Sequence, residues 1–502
     1  MKTSQISGWA RAFAVLGSIV AALPAWSDVD ATDAIAVERG PLAYITRFDG
    51  GGISVIDTST ELEIATLAAQ SAEGVAMAPG GRPVYISDLS GNRLLVIDDP
   101  DGAPQIVASI FGLLHPRAVA ATPDGRKVFV GSAEGRITEI DAKTRTIKGS
   151  YQVAAPNSIF GMAVTPDSQR LIVTTAASAS GMIHIFDTDF LSIGALRSFF
   201  VPSELYSTVI TQDGRYAIVP AFRGTTVYFI ELSTLNVFTK AVGFGIFGVA
   251  VNPANGLVYA TTLDDHVVWF SPNPFSGDGN VVPIPVGVHP QGLSFTPDGS
   301  RLYVANEFSN SVSVIDPTTN KVVKTINVPG GPVSLGQFIA PTGRSIEITE
   351  FYNTALNHYF RTANPGEATG IDAGAAGPGW VRTNLPFRAW ATRSDAPLNA
   401  TSVCRFYGTP GRGPNSHFYT SSAIECGRVK GDPGWTYEGI AFYAVPTLPD
   451  LTCPTNLTPI WRTYNNDFAH NNSNHRMGKD IATYQSMIAQ RWLGEGTVMC
   501  GE

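Results

Sequence analysis

A chain of short β-strands in two unlike parts is what this sequence predicts, and three observations carry that reading. Glycine (50) and proline (34) are abundant among the 502 residues, while charged residues make up only 15%, a composition suited to an all-β protein dense in turns. One unit of strands and turns recurs along roughly two-thirds of the chain. All four cysteines fall beyond residue 400. At this length one ordinary core is not expected, so two folded parts are the default.

The recurring unit is clearest at residues 293–328, LSFTPDGSRLYVANEFSNSVSVIDPTTNKVVKTINV. It reads as four strands separated by a PDGS turn, a polar bend at EFSNS and a PTTN turn. The strands are rich in Val, Ile, Leu and Tyr, and the breaks carry the residues that set turn dihedrals. Its first strand and turn recur as VAMAPGG at Val75, VAATPDG at Val119, MAVTPDS at Met162, TVITQDG at Thr208, VAVNPANG at Val249 and LSFTPDG at Leu293, 41 to 46 residues apart. That period fits a four-stranded propeller blade, which cannot bury both faces alone and needs neighbours of its own kind.

The two ends of the array complement each other. LAYIT, GISVID and EIATLA precede Val75 and match the second to fourth strands of a unit that lacks its first. SLGQFIAP, residues 334–341, matches a first strand with nothing after it. Joined, they make a seventh blade and close the ring without an open edge. The fold class expected is therefore all-β: a seven-bladed β-propeller of four-stranded blades over 41–341, then a small pseudo-threefold, disulfide-stapled β domain over 342–502.

The repeated PDG-x-x-[VL]-[YF]-[VI] and VSVID strings, with YVAN at Tyr303 and looser copies YISD, FVGS, IVTT, IVPA and YATT, resemble the YVTN-type β-propellers. That seven-bladed family includes surface-layer proteins and a periplasmic YncE-like group. The resemblance covers about 300 residues and implies the fold; the family shares no single activity, and fold does not give function.

Beyond residue 342 three related segments follow, beginning EFYNTALNHYFRT at Glu350, RFYGTPGRGPNSHFYTSS at Arg405 and RTYNNDFAHNNSNHRMG at Arg462. Each places an aromatic pair, then Asn and His, then a Trp about twenty residues on. They resemble the domain of unknown function DUF5648, whose repeats carry FYN, HFYT and W-x-x-EG-x-A-F strings. The middle copy fits at Phe406, Tyr407, His417, Phe418, Tyr419, Trp435, Glu438, Gly439 and Phe442. The first copy has Leu385-Pro386 where EG would stand, and the third has Arg476-Met477 after its His. A domain that binds three times over would have weakened sites in those two copies. The family is attached to exported bacterial enzymes and binding proteins, which implies an accessory role.

Export is also read from the N-terminus. Lys2 and Arg11 precede a 14-residue apolar run, and Ala25-Trp26-Ser27 offers small residues where a signal peptidase reads. A retained anchor is the alternative, but the run is shorter than the roughly 20 residues that span a bilayer. Residues 1–27 are thus read as a signal peptide and 28–40 as a flexible lead-in, giving an exported protein: periplasmic, cell-surface or secreted. Losing Lys2 and Arg11 takes the net charge from -8 to about -10, with no basic stripe for a phosphate backbone.

An even cysteine count in an exported chain argues for two disulfides. Three pairings are possible; Cys404 with Cys426 and Cys453 with Cys500 is favoured because each pair staples one local unit. A zinc site is the rival, yet the chain has no CxxC pair.

In a propeller the residue that enters each innermost strand lines one channel mouth. Glu73, Arg117 and Phe160 take that place in successive units, followed by Tyr206, Phe247, Gln291 and, at the closing strand, Val333. Stacking and a few polar contacts suit such a ring to a ligand; the bland alternative is a channel plug. His115 and His289 lie two residues earlier. Asp88, Glu134, Arg223, Asp264 and Glu307, from bends between second and third strands, are expected on the same face. One carboxylate in the ring speaks against a metal-dependent hydrolase, so no metal and no cofactor are assigned. No GxSxG, HExxH, Walker or CxxCH string occurs, and no nucleophile is nominated.

In the second part His358, His417 and His475 are read as equivalent places, either ligands or loop-bonding structural histidines. Trp380, Trp435 and Trp492 are either core or rings for a sugar face. Asn399, Asn456 and Asn471 begin glycosylation triplets. The functional expectation is a non-enzymatic binding protein for a protein or surface polymer. A lactonase-like hydrolase or oxidoreductase in the channel mouth is the alternative, and nucleic acid conflicts with the acidic balance.

Overall fold

The structure is a computed structural model that describes residues 40–99, 103–153, 158–242, 245–277, 282–455 and 457–502. The proposed signal peptide, all of the lead-in but Gly40, and Asn456 lie outside them.

Strands rich in β-branched residues pair with their sequence neighbours, and that local pairing builds the first part. Among the described residues, seven antiparallel sheets follow one another between Leu42 and Ala340. Numbered by the strand that starts each in chain order, blade 1 holds Leu42–Arg47, Gly52–Asp57 and Leu62–Leu67, and blades 2 to 7 begin at Ala72, Pro116, Ser158, Val209, Ile246 and Pro290. Blade 1 takes its fourth strand from the far end of the array: Ile339–Ala340 pairs antiparallel with Leu42 and Ala43. Just before it, Leu335–Gly336 runs parallel to Gly74 and Val75 of blade 2. The closing segment thus divides between two blades, a detail finer than the single strand expected. Ring closure is held by Thr46, whose backbone N–H donates to Ser334 Oγ and whose Oγ1 accepts from Ser334 N.

Burial follows position in the blade. Second strands such as Val84–Asp88 and Leu302–Asn306 are buried throughout, while outer strands such as Thr146–Gln152 are largely exposed. The TPDG strings make one repeated turn: Thr122, Thr165, Thr211 and Thr296 each donate an Oγ1–H to the Asp two residues on. Adjacent innermost strands approach so closely that they need small residues. A Cβ on Gly74 would lie 2.1 Å from Arg117 O, and one on Gly292 would lie 1.8 Å from Ser334 O.

The second part holds three related sheets around the central strands Ile346–Asn353, Thr401–Gly408 and Thr458–Tyr464, three-stranded in the last two copies and four-stranded in the first, where Trp380–Arg382 and Phe387–Ala389 share the place of one long strand. Their Ile348, Val403 and Ile460 are fully buried in one shared core. Each copy also carries a helix that the β reading did not anticipate: α1 (Pro365–Asp372), α2 (Ala423–Lys430) and α3 (Ile481–Ala489). The signal was present. Asn364, Ser422 and Asp480 cap these helices, and Glu367 and Glu425 stand at the third position of the first two.

Both expected disulfides form. Cys404–Cys426 ties a central strand to α2, and Cys453–Cys500 ties the approach to the third copy to its last strand. The two parts meet on the propeller face made by the first-to-second-strand turns: Arg82 Nη2 donates to Thr342 O at 3.1 Å, and Thr455 N to Asp124 O at 3.0 Å. Among the described residues no helix is long and apolar enough to cross a membrane.

Candidate functional site

The channel mouth lies at the other end of the innermost strands from those turns. Ladder registers break within these strands between Ala72 and Val75, Pro116 and Val119, Ile159 and Gly161, Ile246 and Val249, and Pro290 and Leu293. Glu73, Arg117, Phe160, Phe247 and Gln291 fall inside these irregularities, which release a side chain from the ladder and re-aim it. Hydroxyls of the preceding blade then hold the mouth backbone. Thr46 donates to Glu73 O, Ser87 to Arg117 O and Thr261 to Gln291 O, at 2.6 to 2.9 Å.

From Glu73 to Phe247 the ring residues touch one another in chain order. Arg117 Nη1 donates to Glu73 Oε1 at 2.8 Å, and its guanidinium lies over Phe160, 4.5 Å from the ring centre. Phe160 meets Tyr206 edge-on at 4.5 Å, and Tyr206 stacks on Phe247 at 4.8 Å. Gln291 donates to Glu307, which also pairs with His289 at 2.8 Å. Val333 is buried and its N–H donates to Thr46 O, so it closes the ring without facing it polar.

Several bend residues differ from the expectation. Glu307 joins the ring through Gln291 and adds a second carboxylate to the one counted in it. Asp88 is fully buried and accepts from Gln70 N, Ser71 N and Arg93 Nε, which makes it a loop clasp. Glu134 pairs with His115 at 2.6 Å, Arg223 with Glu204 at 3.2 Å, and Asp264 is exposed. Phe222 was missed: it packs edge-on against Tyr206 and Phe247, from the same bend as Arg223. The His-Glu pairs were legible as HP followed by Glu 18 or 19 residues on, in blades 3 and 7.

Glu73 is the chemically distinctive member. Burial pushes its carboxyl up to about 7, Arg117 pulls it back and Glu307 adds to the rise. Its Oε2 has no hydrogen-bond partner among the described residues. Such a group is what an acid–base site needs, and equally what a sealed plug produces.

In the second part, functional candidates gather at the seams between copies. In the first seam Arg405 lies between Glu438 of its own copy and Glu367 of α1, both at 2.9 Å. In the second, Arg462 lies between Glu495 at 2.7 Å and Glu425 of α2 at 3.1 Å. The third seam inverts the charges. Glu350 stands where Arg405 and Arg462 stand, and it receives Arg361 at 2.7 Å and Arg476 at 3.0 Å. The two departures read from the sequence, in the first and third copies, therefore meet in one seam.

Strand register corrects two alignments. Tyr407 pairs with His417 and Tyr464 with His475, but Tyr352 pairs with Tyr359. Tyr359, not His358, occupies the histidine place; His358 sits one residue earlier and bonds Asn472 at 3.0 Å. Likewise Trp380 pairs with Asn353 as Trp435 pairs with Gly408. That puts Thr383-Asn384, not Leu385-Pro386, at the Glu-Gly place, and Asn384 shares the positive φ of Gly439 and Gly496.

His417 contacts Phe360 of the preceding copy at 4.7 Å, and His475 contacts Phe418 at 4.9 Å. Burial, then Arg462, drives the His475 imidazole down to about 3, so it is neutral beside Glu495. Trp380 and Trp435 are half-buried against Phe360 and Phe418, and Trp492 against Tyr359. Among the described residues no three His, Cys, Asp or Glu side chains group to hold a metal ion.

Three copies, their Arg–Glu seams and the W-x-x-EG strands delimit this part as one module. Residues 347–501 match the family described as Domain of unknown function (DUF5648). The DUF5648 domain is thus the part that docks on the propeller's turn face. No curated protein matches the chain. Among solved structures, a functionally unknown protein from Desulfotomaculum acetoxidans DSM 771 is similar at 16% identity and a TM-score of 0.50, covering 59% of this chain and 99% of its own. A putative 6-phosphogluconolactonase from Bacteroides uniformis ATCC 8492 is similar at 17% identity and a TM-score of 0.50, over 60% and 99%. These two likenesses bear on fold alone. A chain of Kuenenia stuttgartiensis hydrazine synthase is similar at 19% identity and a TM-score of 0.48, over 58% and 99%.

Proposed function

We propose that the protein is an exported, non-enzymatic binding protein whose mouth face captures another protein, with the DUF5648 domain as an accessory module on the opposite face. The observation that carries this reading is the apolar rim. Leu114, Leu263, Val288 and Phe308 are 46%, 40%, 50% and 64% exposed on the bends and strand entries around the ring. Inside that rim Arg117 pairs with Glu73 and His289 with Glu307, while Glu73 Oε2 has no hydrogen-bond partner among the described residues. An apolar rim around a largely paired polar centre suits protein contact more than turnover. Export is supported by the two disulfides, which persist in oxidising compartments. The test is capture from envelope and culture-medium fractions by the wild type, by Leu114→Asp with Phe308→Asp, and by Ile424→Asp on the DUF5648 domain. Loss of one retained protein in the mouth variant alone supports the reading; retention by all three removes it.

The buried Glu73 carboxyl favours a second reading, an esterase or lactonase in the mouth. It predicts turnover of a lactone and ester panel that Glu73→Gln abolishes.

A further inference from the structure

The inverted seam of the DUF5648 domain contains a cavity of about 200 Å³. Its origin is a set of coordinated losses. In the other two seams the third residue of the preceding helix is Glu367 or Glu425, and its side chain crosses the seam to an arginine. In α3 that residue is Thr483, whose hydroxyl turns back to the cap Asp480, so the space is left open. The Glu of the W-x-x-EG strand is likewise replaced by Thr383, which donates to Glu350 Oε2 at 2.6 Å.

The cavity floor carries more positive than negative charge. Both oxygens of Glu350 are used: Oε1 accepts from Arg361 and Arg476, Oε2 from Arg476 and Thr383. Burial alone would raise the Glu350 carboxyl, but Arg361 and Arg476 hold it below the ordinary carboxylate value. Two guanidiniums therefore face the Glu350 carboxylate, where each of the other seams sets two carboxylates against one guanidinium; Asp480 adds a second carboxylate to the cavity lining, near Arg476, and Lys479 a third cation. Among the described residues Arg476 Nη1 finds only the Met487 thioether as a hydrogen-bond acceptor, at 3.8 Å and weak, while the guanidinium lies over the Tyr359 ring, 4.4 Å from its centre. Lys479 stands exposed at the edge. The walls are apolar and aromatic, made by Trp461, Tyr484, Leu385, Pro386 and Met477.

We infer that this seam binds a small organic carboxylate with a compact apolar body. The carboxylate takes the place that the seam glutamate holds in the other two copies, accepting from Arg476 Nη1 and Lys479, and the apolar body lies against Trp461 and Tyr484. The volume equals that of about seven waters in the liquid, which limits the body to roughly one ring. This site is on a different domain from the propeller mouth and does not rest on the mouth-face reading.

Saturation-transfer NMR on the full chain tests it, with benzoate as the probe and benzamide and benzylamine as neutral and cationic isosteres. Benzoate is expected to receive saturation and the isosteres to bind at least about tenfold more weakly, the worth of one charge-assisted hydrogen bond. Thr483→Glu restores the glutamate of the other seams and is expected to abolish benzoate binding. Leu385→Trp fills the same space from the outer wall and serves if Thr483→Glu does not fold. No transfer to millimolar benzoate, equal transfer to benzamide, or undiminished binding by a folded variant would each overturn the inference.

Discussion

At pH 8 the Glu73→Gln protein is expected to resist urea better than the wild type, and at pH 5 the difference is expected to shrink. The folded carboxyl titrates at about 7 against an ordinary 4.5, because the propeller mouth buries it. Between those values the native state holds a proton that the unfolded chain has released. Stability from this group is therefore full below about 4.5 and is lost as pH rises through 7. A shift of about 2.5 units corresponds to roughly 3 kcal/mol once the group is ionised, of which about 2.5 kcal/mol develops between pH 5 and 8. Arg117 does not cancel this penalty, since its attraction is already counted in the folded value. The assay is the urea midpoint of both proteins at several pH values, where the gap is expected to widen by about 1 M towards pH 8. A gap that stays constant, or a variant that is weaker at pH 8 than at pH 5, would mean that the Glu73–Arg117 pair stabilises the mouth as an ion pair and that the desolvation argument is wrong.

Three further outcomes are expected. Gly292→Ala puts a Cβ 1.8 Å from Ser334 O at ring closure and should cost at least about 3 kcal/mol in urea unfolding, whereas Gly149→Ala, with no atom within 4 Å, should cost nothing measurable. Replacing Cys453 and Cys500 by Ala opens a 47-residue loop and should destabilise the DUF5648 domain by roughly 4 kcal/mol, against roughly 3.4 for the 22-residue Cys404–Cys426 loop, on the chain-entropy account; calorimetry of the two variants compares them. Arg361→Met leaves the fully buried Glu350 with Arg476 as its remaining guanidinium and should cost roughly 3–5 kcal/mol. Adding Glu350→Gln should recover part of that loss, and a double-mutant cycle measures the coupling.

What could be read in the chain was whatever repeats locally. Pro-Asp-Gly turns, strands of Val and Ile and the 41-to-46 spacing belong to single blades, so one sequence pass finds them. The mouth positions were legible for the same reason, since each precedes a small residue that close strand packing demands. Glu307 and Phe222 escaped as ring members because a bend residue reaches the axis only once seven blades fix its direction. Helices α1 to α3 escaped because their Asn, Ser and Asp caps stand beside strand-like aromatic strings that drew the reading towards β.

The blade count and the closure of the last strand onto the first blade follow from the repeat, and the local-staple argument favoured the cysteine pairing that forms without excluding the other two. The third seam, by contrast, is set by packing between distant copies. The alignment put its defects in two separate copies, and the His358 and Leu385 assignments slid by one and two residues because strings fit without a register. Pseudo-threefold packing brings the last copy against the first, where Glu350, Arg476, Thr383 and Thr483 meet as one inverted charge set. Contacts between copies more than a hundred residues apart have no periodic trace in the chain, so only their spatial closure shows that four exceptions are a single site.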